Sequence, residues 1–137
     1  MPWSRALPAA ALAAAAALVA VPAPGAAADS PGPAGSRLVL TLHSGENAAG
    51  RVLGSVSLEC APDGGSHPRP GDACAALRAA HGDPAAVRAQ RGVMCPMLYA
   101  PVTGRVVGSW DGHPVEFIRT YANRCVAGGE SGGVFQF

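Results

Sequence analysis

The sequence contains no lysine; all ten of its basic residues are arginine, set against nine acids. A chain this close to neutrality has no bulk charge with which to hold nucleic acid or an anionic membrane. It has no glycine-rich phosphate loop and no paired-carboxylate motif, so nucleotide chemistry and carboxylate acid–base catalysis have no residues to use. Its four cysteines, Cys60, Cys74, Cys95 and Cys125, include no C-x₂₋₄-C pair. None of His43, His67, His81 and His113 is placed to complete a zinc site. No strand–helix alternation of the parallel α/β kind runs along the chain. These absences leave no enzyme, no metal and no cofactor to argue for.

What is present begins with an export pattern. "MPWSR" carries one positive charge, "ALPAAALAAAAALVAV" is apolar, and "PAPGAAADS" supplies small residues, with Ala26 and Ala28 as an A-x-A. That order is a secretory signal, expected over residues 1–28 with cleavage after Ala28. The apolar run approaches the length of a membrane anchor. Alanine is only weakly hydrophobic, however, and Pro8, Pro22 and Pro24 interrupt it. No cysteine near the cleavage region offers a lipid attachment point. A cleaved signal therefore fits better than an anchor, and the product is expected to be extracellular.

Removal of residues 1–28 leaves about 110 residues, enough for one domain and too few for two. Arg5 leaves with the signal, so nine arginines then balance nine acids. An even cysteine count in a small exported domain reads as two disulfides. Three pairings are open; consecutive pairing closes the shortest loops, and each bridge would contribute about 3–4 kcal/mol by the chain-entropy estimate.

Residues 29–36, "DSPGPAGS", read as a flexible tail and residues 37–137 as the folded domain. "RLVLTLHSG" alternates Leu38, Leu40 and Leu42 against Val39, Thr41 and His43, the period of a strand. "GRVLGSVSLEC" continues as its hairpin partner across "SGENAAG". Three prolines and three glycines keep "APDGGSHPRPGD" irregular. "DACAALRAAHGD" is the one convincing helix, with Asp72 as N-cap and Gly82 and Pro84 as its stop. "PAAVRAQRGV" can add one helical turn. "TGRVVGSW" and "HPVEFIRTYANRC" form a second hairpin through Asp111-Gly112, and "GVFQF" alternates as a last strand. The class is α+β: about five antiparallel strands with one or two short helices.

"GGESGGVF" has the look of a serine-protease nucleophile loop centred on Ser131. Serine catalysis needs a placed histidine and acid, and this domain is too small for that architecture. The glycines read instead as a loop into the last strand. "GVMCPMLYAP" is more demanding. Pro96 fixes its own φ and biases Cys95 toward extended geometry. A disulfide at Cys95 would pin the segment two residues before Met97, and Pro101 restrains the far side. Two readings stay open on these residues alone: a pinned extended segment for a protein cleft, or a buried strand with Met97 in the core.

Residues 60–77, "CAPDGGSHPRPGDACAAL", favour the first. They resemble the motif of the Streptomyces subtilisin inhibitor family at Cys60, Pro62, Gly65, His67, Pro68, Ala73, Cys74 and Leu77. "MCPM-x-Y-x-P" is similar to that family's reactive-site loop, and "GVFQF" to its C-terminal strand. The resemblance covers essentially the whole domain. It implies a secreted, homodimeric inhibitor of serine proteases, subtilisins above all, on a five-stranded antiparallel sheet with two short helices. It implies the pairs Cys60–Cys74 and Cys95–Cys125. It implies a reactive bond between Met97 (P1) and Leu98 (P1′), with Pro96, Cys95 and Met94 as P2, P3 and P4 and Tyr99 as P2′. Asn123 matches the asparagine that supports the loop.

Overall fold

A computed structural model describes residues 19–20 and 35–137; the rest of the expected signal and residues 29–34 of the expected tail lie outside the described residues. Two hairpins join side by side into one antiparallel sheet. Strands β1 (Ser36–Ser44), β2 (Val52–Cys60), β3 (Val102–Trp110) and β4 (His113–Tyr121) lie in the order β2-β1-β3-β4. The two central strands are far apart in sequence, so everything between residues 61 and 101 must leave the sheet and return to its middle.

The alternation of β1 decides which face is covered. Leu38, Leu40 and Leu42 are buried, and their partners across β2 and β3 include Leu58, Val56 and Val106. Each fully buried leucine is worth about 1.5–3 kcal/mol in area removed from water. The opposite face carries Val39, Val107 and Ile118, all exposed. One residue departs from the period: the β1–β2 register slips between Leu42 and His43, leaving Leu53 unpaired in a bulge. His43 is consequently buried, its Nδ1 3.1 Å from the Gly50 carbonyl.

Helix α1 (Pro70–Ala79) covers the β2 side of the core through Ala73, Cys74 and Leu77. It starts two residues before the expected Asp72. Pro70, whose ring presets a helical φ, takes the first turn, and Arg69 occupies the cap position without a side-chain bond. Asp72 sits in the first turn, where its charge suits the helix dipole. The helix stops as expected at Gly82, whose φ of +80° closes its N–H onto the Leu77 carbonyl at 2.8 Å. Pro84–Ala86 adds a single 3₁₀ turn.

The expected fifth strand, "GVFQF", does not form; among the described residues the sheet has four strands. Gly132 and Gly133 both take positive φ, +63° and +93°, and curl residues 131–135 into turns. The chain end therefore lies over the sheet rather than along its edge. Its anchor is Phe135, 1% exposed, with ring centroids 5.9 Å from Tyr121 and 6.5 Å from Phe117. His67 ties the same end to the entry of α1. Its Nδ1 accepts the Arg69 N–H at 3.0 Å, so its proton lies on Nε2, which donates to the Val134 carbonyl at 3.0 Å.

The glycine-rich stretch is not a simple loop either. Residues Arg124–Glu130, "RCVAGGE", form helix α2, packed against β3 and β4. Two glycines in a short helix oppose it by propensity. Packing explains the second: a Cβ on Gly129 would meet Val93 at 3.1 Å, and the Gln90 N–H bonds the Gly129 carbonyl at 2.8 Å. The cysteines pair as Cys60–Cys74, joining β2 to α1, and Cys95–Cys125, joining residues 93–101 to α2.

The close fit of Phe135 yields a test. A Cβ on Gly104 would lie 2.6 Å from the Phe135 ring. Gly104→Ala should cost about 1–3 kcal/mol by overpacking, and a second change, Phe135→Leu, should relieve part of that cost. Thermal unfolding of the single and double variants checks it; strictly additive losses would contradict the contact.

Candidate functional site

Residues 93–101 have no regular structure and leave the body of the domain before entering β3. Met97 is 107% exposed and Met94 93%, which excludes the buried-strand reading of this segment. Leu98 and Tyr99 are exposed as well. From Met94 through Leu98 the segment carries no ionisable side chain. An exposed run of this length and apolarity would collapse inward unless something held it out.

Its support comes from one buried side chain. Asn123 is 5% exposed and occupies the N-cap of α2. Its Oδ1 accepts the Val126 N–H at 3.0 Å, which fixes the orientation of the amide. Nδ2 then faces outward and donates to two carbonyls, Pro96 at 3.1 Å and Leu98 at 2.9 Å. Those carbonyls flank Met97 on either side. The residue between them can turn only outward.

Further bonds act on either side of this point. The Cys95–Cys125 disulfide fastens the chain two residues before Met97. The Ala100 N–H donates to the Ala122 carbonyl at 2.9 Å, and the Gly45 N–H to the Pro101 carbonyl at 2.8 Å. Pro96 and Pro101 restrict φ within the same run. Packing contributes little: behind the segment lies an apolar hollow of about 500 Å³ lined by Leu53, Pro96, Leu98, Pro101 and Val102 among others. Rigidity here comes from one crosslink and a few hydrogen bonds, each worth about 0.5–1.5 kcal/mol net.

The other sequence candidates resolve differently. Ser131 is buried; its Oγ donates to the Gly128 carbonyl at 3.2 Å and accepts the Phe135 N–H at 2.9 Å, so it is a turn hydroxyl. Among the described residues, the grouping of metal-capable side chains is Cys60, Asp63 and Cys74. Its sulfurs are joined in a disulfide, and Asp63 is held by Arg78 in a bidentate pair at 2.9 and 3.1 Å. That hydrogen-bonded pair lowers the Asp63 carboxyl below its ordinary value. Neither cysteine is a free ligand.

Sequence reasoning missed two contributors. Helix α2 was hidden by its glycines, although an asparagine ahead of it is a cap signal. Glu46, in the β1–β2 turn, accepts a hydrogen bond from the Tyr99 phenol across 53 residues of sequence, and no local pattern announces it. That bond, ahead of burial and the carboxylate charge, raises the Tyr99 phenol above its ordinary value.

Comparison with known proteins gives a consistent answer. The subtilisin inhibitor-like family model matches residues 34–123. A subtilase-type protease inhibitor of Streptomyces coelicolor is 50% identical over 104 residues, 74% of this chain and 72% of the relative. Subtilisin inhibitor-like protein 3 of Streptomyces coelicolor has the same identity over 74% of this chain and 97% of its own. A trypsin inhibitor of Streptomyces longisporus is 44% identical over 104 residues, 74% of this chain and 72% of the relative. Among solved structures, Streptomyces caespitosus sermetstatin in complex with Bacillus licheniformis subtilisin superposes with a TM-score of 0.60. It shares 32% identity and covers 75% of this chain and 99% of that one. With an exposed apolar segment pinned by an asparagine and a disulfide, and with relatives of this identity and coverage, the chain belongs to the subtilisin inhibitor-like family.

Proposed function

We propose that this protein is an exported, substrate-like inhibitor of serine proteases, not an enzyme, and that Met97–Leu98 is its reactive bond. The observation that carries the reading is Met97 itself, fully exposed between two carbonyls held by one buried asparagine. Proteases bind their substrates as extended strands. A segment already extended and restrained loses little conformational entropy on docking. The names of the relatives support subtilisin-like enzymes as the targets. Two disulfides fit an oxidising, extracellular setting.

In the docked state Met97 enters the specificity pocket, with Pro96, Cys95 and Met94 filling the preceding sites and Leu98 and Tyr99 the following ones. The protease serine attacks the Met97 carbonyl carbon, and its histidine carries the serine proton to the departing Leu98 nitrogen. The cut ends do not diffuse apart, because Cys95–Cys125 holds one and the Asn123 amide spans both. Resynthesis of the bond then competes with release. Methionine is long, flexible and uncharged. It suits subtilisin-like and chymotrypsin-like pockets and not the acidic pocket of trypsin.

We also infer that two copies pair through the uncovered sheet face. Leu38, Leu40 and Leu42 are committed to the core, which leaves Val39 opposite Val107, with Ile118 nearby, as the apolar strip. Arg37–Glu59 and Arg105–Glu116, each at 3.6 Å, place both signs of charge around it, as a self-complementary two-fold surface requires.

Two outcomes test these readings. Met97→Lys should gain trypsin inhibition, because a cation then meets the buried acid of that pocket; a variant silent on trypsin and unchanged on subtilisin would show that Met97 is not P1. By light scattering the protein should have twice the chain mass, and Val39→Asp should give a monomer that still inhibits. A monomeric unmodified protein would refute the pairing.

A further inference from the structure

The β1–β2 turn, residues 45–51, lies against the C-terminal half of the loop, and its fixation is unusual for a surface turn. The Thr103 hydroxyl donates to the Gly45 carbonyl at 2.9 Å and the Thr120 hydroxyl to the Glu46 carbonyl at 3.1 Å. The two hydroxyl oxygens are themselves 2.9 Å apart, and Thr103 is fully buried. With the Gly45 N–H on the Pro101 carbonyl at 2.8 Å, consecutive residues of the turn are tied to β3, β4 and the end of the loop. Glu46 therefore projects from a held backbone, and its carboxylate accepts from the Tyr99 phenol. A carboxylate on a free turn would contribute almost nothing, because the entropy of fixing it would cancel the bond. Here the backbone beneath it is already ordered.

We propose that Glu46 is a positioning residue of the inhibitor: through Tyr99 it holds the segment that carries the new amine after the reactive bond is cut. The proposal rests on the reading of Met97–Leu98 as that bond. Cleavage leaves Met97 as an acyl group on the protease serine and Leu98 as a free amine. In the reverse step the Leu98 nitrogen attacks the acyl carbon and the C–N bond re-forms. The serine oxygen departs and recovers its proton from the amine through the protease histidine. The step is fast only while the amine stays beside the acyl carbon. On the Met97 side a disulfide secures this. On the Leu98 side there is no crosslink, and packing adds little, since Leu98 is 60% exposed over the apolar hollow. What remains is Asn123 on the Leu98 carbonyl, the Ala100–Ala122 and Gly45–Pro101 backbone bonds, and Tyr99 on Glu46.

The readout is the equilibrium ratio of cut to intact inhibitor, reached from both directions with catalytic subtilisin at neutral pH. A catalyst cannot move that ratio, so direct contacts between Glu46 and the protease do not affect it. Glu46→Ala and Tyr99→Phe should each raise it about two- to tenfold, as the loss of one hydrogen bond allows. The double variant should raise it no further than either single change. In the free inhibitor, Glu46→Ala should also lower the titration of the Tyr99 phenol followed by NMR. A cut after Met97 with an unchanged ratio in Glu46→Ala overturns the proposal, as do strictly additive effects or an unmoved phenol. A cut elsewhere, or none, in the unmodified protein defeats the reactive-bond reading first, and the proposal falls with it.

Discussion

A single amide side chain serves two masters in this molecule. The oxygen of Asn123 starts helix α2, and its nitrogen holds the two carbonyls that straddle Met97. The first bond fixes which way the amide faces, and that fixes the second pair. Asn123 is buried beneath the loop, and any loop position that abandoned Nδ2 would give up two hydrogen bonds, each worth about 0.5–1.5 kcal/mol net. The exposed conformation of Met97 is thus a consequence of helix capping one layer below it.

The rest of the fold serves to make that cap rigid. Helix α2 has too few residues and too many glycines to persist alone. It is held by Cys125, by the Val93–Gly129 contact and by the curled chain end that Phe135 anchors in the core. Phe135 in turn requires the empty space above Gly104. The chain of dependence runs from a strand glycine, through a buried ring and a short helix, to the loop. The two disulfides are divided accordingly, one stapling α1 to the sheet and one stapling the loop to α2.

The elements that follow local rules were legible in the sequence. Leu38-Leu40-Leu42 gave β1 its inward face, Asp111-Gly112 with φ of +46° and +79° gave the second hairpin its turn, and Gly82 gave α1 its stop. The failures have two causes: a local backbone choice that residue type concealed, or a neighbour distant in sequence. "GVFQF" has strand periodicity, but Gly132 and Gly133 turn it away from the sheet edge. "RCVAGGE" lacks helix propensity, but Val93, packed against it, needs a glycine at 129. Asp72 is a good cap by type, yet Pro70 begins the helix first. Within the loop, residue types alone left open whether Met97 is exposed or buried; the resemblance of residues 60–77 favoured exposure, and the structure shows it. Glu46 was out of reach because it meets Tyr99 only through the tertiary fold.

The central claim is that the Asn123 amide makes this loop an inhibitor and not merely a good substrate. Asn123→Asp separates its two duties, since a carboxylate still caps α2 but cannot donate to Pro96 and Leu98. The measurement is a titration of subtilisin with the unmodified protein and with this variant, mapping any cut by mass spectrometry over time. The account predicts stoichiometric inhibition with one slow cut after Met97 in the unmodified protein, and the same cut at least tenfold faster in a variant that remains folded. Equal cutting rates in the two proteins, or a cut at another bond, would contradict it.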